Sequence, residues 1–194
     1  MNDADLLQQK EDMRRNQYLA LNGGIAAIIA ALSMVVIKSV AYIFSGSSSV
    51  LASLIDSVTD TAISIITVFS IRYSMKPADE DNRHGHGKIE GVSALFQGAI
   101  LAGGALFLTL DAIKTFFKPT EITEHQFSGA MIILCIVITF ALILYQSYVA
   151  KKSKSLAIEA DKAHYTGDLF MNLGVLAVIV LDVFNAPHWL DPLF

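Results

Sequence analysis

Apolar residues fall in five long blocks, at about residues 18–44, 50–73, 91–117, 127–149 and 156–184, separated by shorter polar stretches. The block from Val50 to Tyr73 holds 24 residues. As an α-helix it would be about 36 Å long, enough to cross a hydrocarbon core of roughly 30 Å. The pattern predicts an all-α fold, a polytopic membrane helix bundle with five transmembrane helices. Residues 1–17 form a charged N-terminal lead, residues 18–184 the transmembrane domain, and residues 185–194 a tail. Pro187, Trp189 and Pro192 give that tail an interfacial composition.

The interruptions refine this layout. Ser45-Gly46-Ser47-Ser48-Ser49 is a tight, uncharged turn into the second block. The stretch from Ser74 to Lys88 is hydrophilic, with Pro77 and a polar run from Asp79 to His86. Pro119, Glu121 and Glu124 mark the loop before the fourth block, and Lys151-Lys152-Ser153-Lys154 the turn after it. Gly91, Ala94, Gly98, Ala102, Gly103 and Ala105 line the third block with small side chains, which admit a close neighbouring helix. Lys38 interrupts the first block, and its long stem is expected to snorkel toward an interface.

Basic residues decide orientation. They cluster in the lead (Lys10, Arg14, Arg15), around the loop after the second block (Arg72, Lys76, Arg83, Lys88) and after the fourth (Lys151, Lys152, Lys154). The opposite side has only Lys114 and Lys118. The N-terminus is therefore expected in the cytoplasm and the tail on the other side.

Composition narrows the class further. The mean hydropathy of +0.52, with 16% charged residues, is too apolar for a soluble domain of this length. The lipid bilayer is the expected environment, and no nucleic-acid partner is expected. The single cysteine, Cys135, excludes a disulfide or a thiolate cluster within the chain. The charged start of the sequence gives no sign of a cleavable signal peptide.

Against this background the ionisable groups inside the blocks stand out. Asp56 and Asp60 are one helical turn apart in the second block, and His164 and Asp168 repeat the spacing in the fifth. A carboxylate in hydrocarbon costs on the order of 3 kcal/mol, so these positions require a purpose. With helices running in opposite senses, Asp56 and Asp60 lie about 9 and 15 Å below the outer edge. His164 and Asp168 lie about 18 and 12 Å below it in a core of roughly 30 Å. All four fall in one band near the midplane. Three carboxylates and one imidazole suit a tetrahedral borderline cation, Zn²⁺ first, with Fe²⁺, Mn²⁺, Co²⁺ and Cd²⁺ as the others. The same atoms take up protons, so protons compete with the metal there. A bland reading of such pairs is helix–helix hydrogen bonding, and that reading holds for Asn22, Ser53, Thr59, Gln97 and Asn172.

Asp56-x-x-x-Asp60, His164-x-x-x-Asp168 and the loop from Pro77-Ala78-Asp79 to Gly85-His86-Gly87-Lys88-Ile89-Glu90 together resemble the cation diffusion facilitators, and most the bacterial zinc and ferrous-iron efflux pumps among them. The resemblance implies a non-enzymatic function, export of a divalent metal cation against protons. It also implies a homodimer in the bacterial cytoplasmic membrane. In that family Asp, His and His of the loop bind a second metal. Asp79 and His86 match two of those positions, Asn82 stands at the third, and His84 is a nearby substitute, so any second site here is expected to be weak. The family pattern continues into a sixth helix and a cytosolic domain, with Leu190 to Phe194 standing where that helix would begin. The alternative is a metal-binding membrane subunit, or a truncated relic, without transport. An intramembrane aspartyl protease is disfavoured, because Tyr165 occupies the first glycine of the Gly-x-Gly-Asp signature before Asp168.

Overall fold

The computed structural model describes residues 3–46, 48–80, 82–117 and 126–183. The loop with Pro119, Glu121 and Glu124 and the tail of residues 185–194 lie outside the described residues. Among the described residues five helices follow one another: α1 (Asp3–Ser45), α2 (Ser48–Ser74), α3 (Lys88–Phe117), α4 (Gln126–Ser153) and α5 (Leu156–Val183). The described residues contain no strand. Among the described residues four helices carry segments long and apolar enough to cross a membrane: Asp5–Ser45, Val50–Ser74, Lys88–Phe107 and Ala130–Ser153. In α5 the charges of Glu159, Asp161, Lys162 and Asp168 all fall in the first half of the helix.

The chain turns where its residues allow. Gly46 takes a left-handed backbone (φ 62°) and its N–H donates to the Tyr42 carbonyl at 2.8 Å, which closes the end of α1. Lys154 takes the same conformation after α4, with its N–H on the Ala150 carbonyl at 2.9 Å. Ser155 then caps α5, its hydroxyl accepting the Ile158 N–H at 3.4 Å.

The packing is inside-out relative to a soluble protein. Leu32, Val36, Ile43, Phe69, Leu95, Phe107, Val137 and Phe170 are exposed. Buried positions on α2 are instead largely polar: Ser57, Asp60, Ser64, Thr67, Ser70 and Ser74. Most of these recur every three or four residues, so one stripe of α2 faces its neighbours and the apolar remainder faces outward. Lipid solvates the outer side chains as well as a core would, and the polar stripe must find partners within the protein.

Close helix approach occurs on α1. A Cβ at Gly23 would meet Val149 of α4 at 2.9 Å, and one at Gly24 would meet Val68 of α2 at 2.7 Å. By contrast, Gly91, Gly98, Gly103 and Gly104 of α3 have open space where a Cβ would stand. The small-residue face of α3 therefore has no helix against it at these positions among the described residues. Gly24→Val should force α1 and α2 apart at a cost of about 1–3 kcal/mol, seen as a lower midpoint in thermal unfolding. The same change at Gly98 should leave the midpoint within a degree or two.

Candidate metal centre

Polar contacts between α2 and α5 form a ladder. Asp60 meets His164, with Oδ1 3.0 Å from Nε2. Ser64 and Tyr165 share a hydroxyl–hydroxyl bond of 2.8 Å. Thr67 Oγ1 donates to Asp161 Oδ1 at 3.4 Å. From the Asp60–His164 contact to the Thr67–Asp161 contact the numbers rise on α2 and fall on α5, so the two helices are antiparallel.

At one end of the ladder Asp60, His164 and Asp168 converge, their ligand atoms all within 4.8 Å of one another. The imidazole Nε2 is 3.7 Å from Asp168 Oδ2 as well as 3.0 Å from Asp60 Oδ1. The three side chains retain 9%, 10% and 22% of their exposure for Asp60, His164 and Asp168, so bulk water reaches them only in part. Asp168 Oδ2 and His164 Nδ1 are buried and accept or donate no hydrogen bond among the described residues. Buried polar atoms are normally satisfied, and this set offers two carboxylates and an imidazole to a cation.

Asp56 is placed differently. It is exposed and its carboxylate is not in the converging group. Four residues along a helix advance the chain about 6 Å and turn it about 40° past the start. That offset separates Asp56 from Asp60 along α2. Its charge nevertheless interacts with those of Asp60, Lys38 and His164.

The loop candidates divide as well. His86 is buried, with Nε2 3.3 Å from both Asp79 Oδ2 and Asn82 Nδ2, and its ring stands edge-on to Tyr73 at 4.9 Å. The Asn82 backbone N–H donates to Asp79 Oδ1 at 2.7 Å, an Asx-type turn that holds the Asp79 carboxylate. His84 is exposed and stands apart from this cluster.

Asp161, Gln146 and Glu90 carry weight that sequence reasoning missed, while Gln97 makes the helix–helix hydrogen bond expected of it. Asp161 is fully buried, with Oδ2 accepting from Gln146 Nε2 at 2.5 Å. Gln97 Nε2 donates to Thr67 Oγ1 at 2.8 Å, so side chains of α2, α3, α4 and α5 join in one network around Asp161. At the other end of the ladder Glu90 of α3 accepts from Ser74 of α2 at 2.7 Å and from Ser155 at the start of α5 at 2.5 Å. Its two oxygens tie three helix ends together. Asp161 lies one turn before His164 in the same block, and that spacing was the available signal. Asp161→Ala should cost about 1–3 kcal/mol by stranding the Gln146 donor. Asp161→Asn should restore most of this in a denaturation series, because its carbonyl oxygen still accepts.

The comparisons with known proteins bear on what this arrangement serves. The pattern described as the cation efflux transmembrane domain matches residues 24–194. The chain belongs to the cation efflux family. It is 40% identical over 169 residues to the cation-efflux pump FieF of Shewanella oneidensis, covering 87% of this chain and 57% of that protein. It is 36% identical over 176 residues to the FieF of Salmonella arizonae, covering 91% of this chain and 58% of that protein. The FieF of Salmonella agona is similar to the same degree. The chain thus spans a little under three fifths of the length of these relatives. Family membership and the apolar helices make it an integral membrane protein whose family exports cations.

Proposed function

We propose that this chain carries the transport site of a divalent metal exporter. The observation behind this reading is the convergence of buried Asp60, His164 and Asp168 between antiparallel α2 and α5. Asp56 is the fourth ligand, reached when a bound cation draws its carboxylate toward the group. The cargo is Zn²⁺ first, since an imidazole among carboxylates favours a borderline ion, with Fe²⁺, Mn²⁺ and Cd²⁺ as further substrates. The N-terminus faces the cytoplasm of a bacterial cell, the membrane is the cytoplasmic one, and the working unit is a homodimer. The basic residues at the α2–α3 and α4–α5 ends support that orientation. Residues 1–17 are then the cytosolic lead, and residues 185–194 reach the opposite face.

A metal binds these four groups only when the imidazole is neutral and the carboxylates are ionised, so each ion that enters displaces protons. Protons arriving from the far side would in turn release it, which is exchange at one site. Zinc affinity should therefore fall as pH is lowered, by about tenfold per pH unit for each proton displaced. Calorimetry in buffers of different ionisation enthalpy counts those protons. Flux of zinc into proteoliposomes, driven by an imposed pH gradient, tests the transport itself. Stoichiometric binding without flux would reduce the chain to a metal-binding subunit. No proton release near pH 7 would end the antiport reading.

A further inference from the structure

Lys38 is a cation inside α1, and only 6% of it is exposed. Its stem does not reach out along the bundle surface as its length would permit. Nζ instead donates to the Ser53 carbonyl of α2 at 3.1 Å. Ser53 stands three residues before Asp56, one turn further toward the start of the same helix. An ammonium held inside a membrane protein is expensive and usually has a counter-ion, and one carbonyl is not a counter-ion.

The carboxylates within its electrostatic reach belong to the candidate metal centre. Lys38 acts electrostatically on Asp56 of α2 and on Asp168 of α5. Asp161 is a further carboxylate whose charge is felt by Asp60 and His164, but its oxygens are taken by Gln146 and Thr67 and it lies outside the converging group that would meet a cation. Cys135 of α4 also lies within the field of Lys38 and is neutral as a thiol.

We propose that Lys38 is the fixed counter-charge of the α2–α5 site and sets the charge of the cation the site accepts. The inference rests on the reading of Asp56, Asp60, His164 and Asp168 as ligands. Asp56, Asp60 and Asp168 bring three negative charges, and neutral His164 brings none. A divalent ion returns two positive charges and Lys38 supplies the third, so the loaded site is balanced. A monovalent ion leaves the site negative and a trivalent ion leaves it positive. Net charge is far costlier in the low-dielectric interior than in water, so the balanced state is favoured. Lys38 touches no cargo in this scheme. It acts through its field, from a position fixed by the Ser53 carbonyl.

The test compares Zn²⁺ with the luminescent trivalent probe Tb³⁺ on the purified full chain, at one pH. Lys38→Met keeps the stem and removes the charge, while Lys38→Arg keeps the charge. With the charge gone, a trivalent ion balances the three carboxylates, so Tb³⁺ should gain at least about tenfold on Zn²⁺ in Lys38→Met. Lys38→Arg should keep the wild-type ratio. A merely structural lysine would move both affinities together and leave the ratio alone. If Lys38→Met does not fold, Lys38→Gln gives the same comparison with a donor retained for Ser53. An unchanged ratio in a folded neutral variant overturns the counter-charge. Asp60→Asn separates the two layers of the argument. Undiminished zinc binding there would remove the ligand reading itself, whereas lost binding there beside an unchanged ratio at Lys38 would remove only this inference.

Discussion

Asp60→Ala should abolish high-affinity zinc binding at the α2–α5 site, with a loss on the order of a hundredfold or more. Asp60 is the most enclosed carboxylate of the group, and its Oδ1 is the oxygen closest to His164 Nε2. Removing it leaves Asp168 and His164 on α5 with no converging partner from α2, since Asp56 lies further along that helix. A tetrahedral ion would then have three ligands, one of them distant, in a setting where water cannot freely supply a fourth. The contact with His164 is also what holds the imidazole toward α2. Asp60→Asn keeps the shape and a hydrogen bond but not the charge, so it should fold like the wild type and still bind zinc poorly. Calorimetry on both variants measures the effect, with a denaturation curve as control for folding. Wild-type affinity in either variant would take Asp60 out of the site.

How much of this was legible in the sequence varies with the interaction concerned. The five apolar blocks became five helices because block length and lipid thickness are matched quantities that no tertiary detail can override. Boundaries at the ends were less constrained. The lead of residues 1–17 joins α1 from Asp3, since Leu6 to Arg15 contains helix formers and no glycine or proline. Asp60, His164 and Asp168 were readable because a charge in an apolar block has few excuses. Asp56 was readable by the same rule, but the rule says nothing about which helical offset faces a neighbour. The snorkelling expected of Lys38 failed for a related reason. A lysine stem follows whichever carbonyl and carboxylates the next helix presents, and the sequence does not print that register. The roles of Asp161, Gln146 and Glu90 were hidden for the same cause, because their partners come from other helices. The small residues of α3 suggested a close contact that the described residues do not make, while Gly23 and Gly24, which do make one, carry no period of their own.

The loop gives the second large effect, and it depends on one atom type. Asp79, Asn82 and His86 already converge, with the Asp79 carboxylate and the Asn82 amide nitrogen each 3.3 Å from His86 Nε2. The Asx turn from Asp79 to Asn82 and the Tyr73 ring against His86 fix the arrangement from two sides. The geometry is therefore that of a small three-ligand site with one unsuitable member. A neutral amide turns its N–H toward the imidazole and has no lone pair on nitrogen to give. Two remaining donors, one of them exposed, should hold zinc weakly at best. Asn82→His replaces the amide with an imidazole of similar reach, and with a water would complete four positions around Zn²⁺. The variant should bind one more zinc per chain than the wild type, with affinity for the loop raised by about a hundredfold or more. Zinc titration of Asn82→His in the Asp60→Ala background reads the loop alone, since the membrane site should be silent there. His86→Ala added to it should return the stoichiometry to zero. A tight loop metal in the wild type would show that Asn82 is no obstacle, and an unchanged stoichiometry in Asn82→His would show that these three side chains do not form the site.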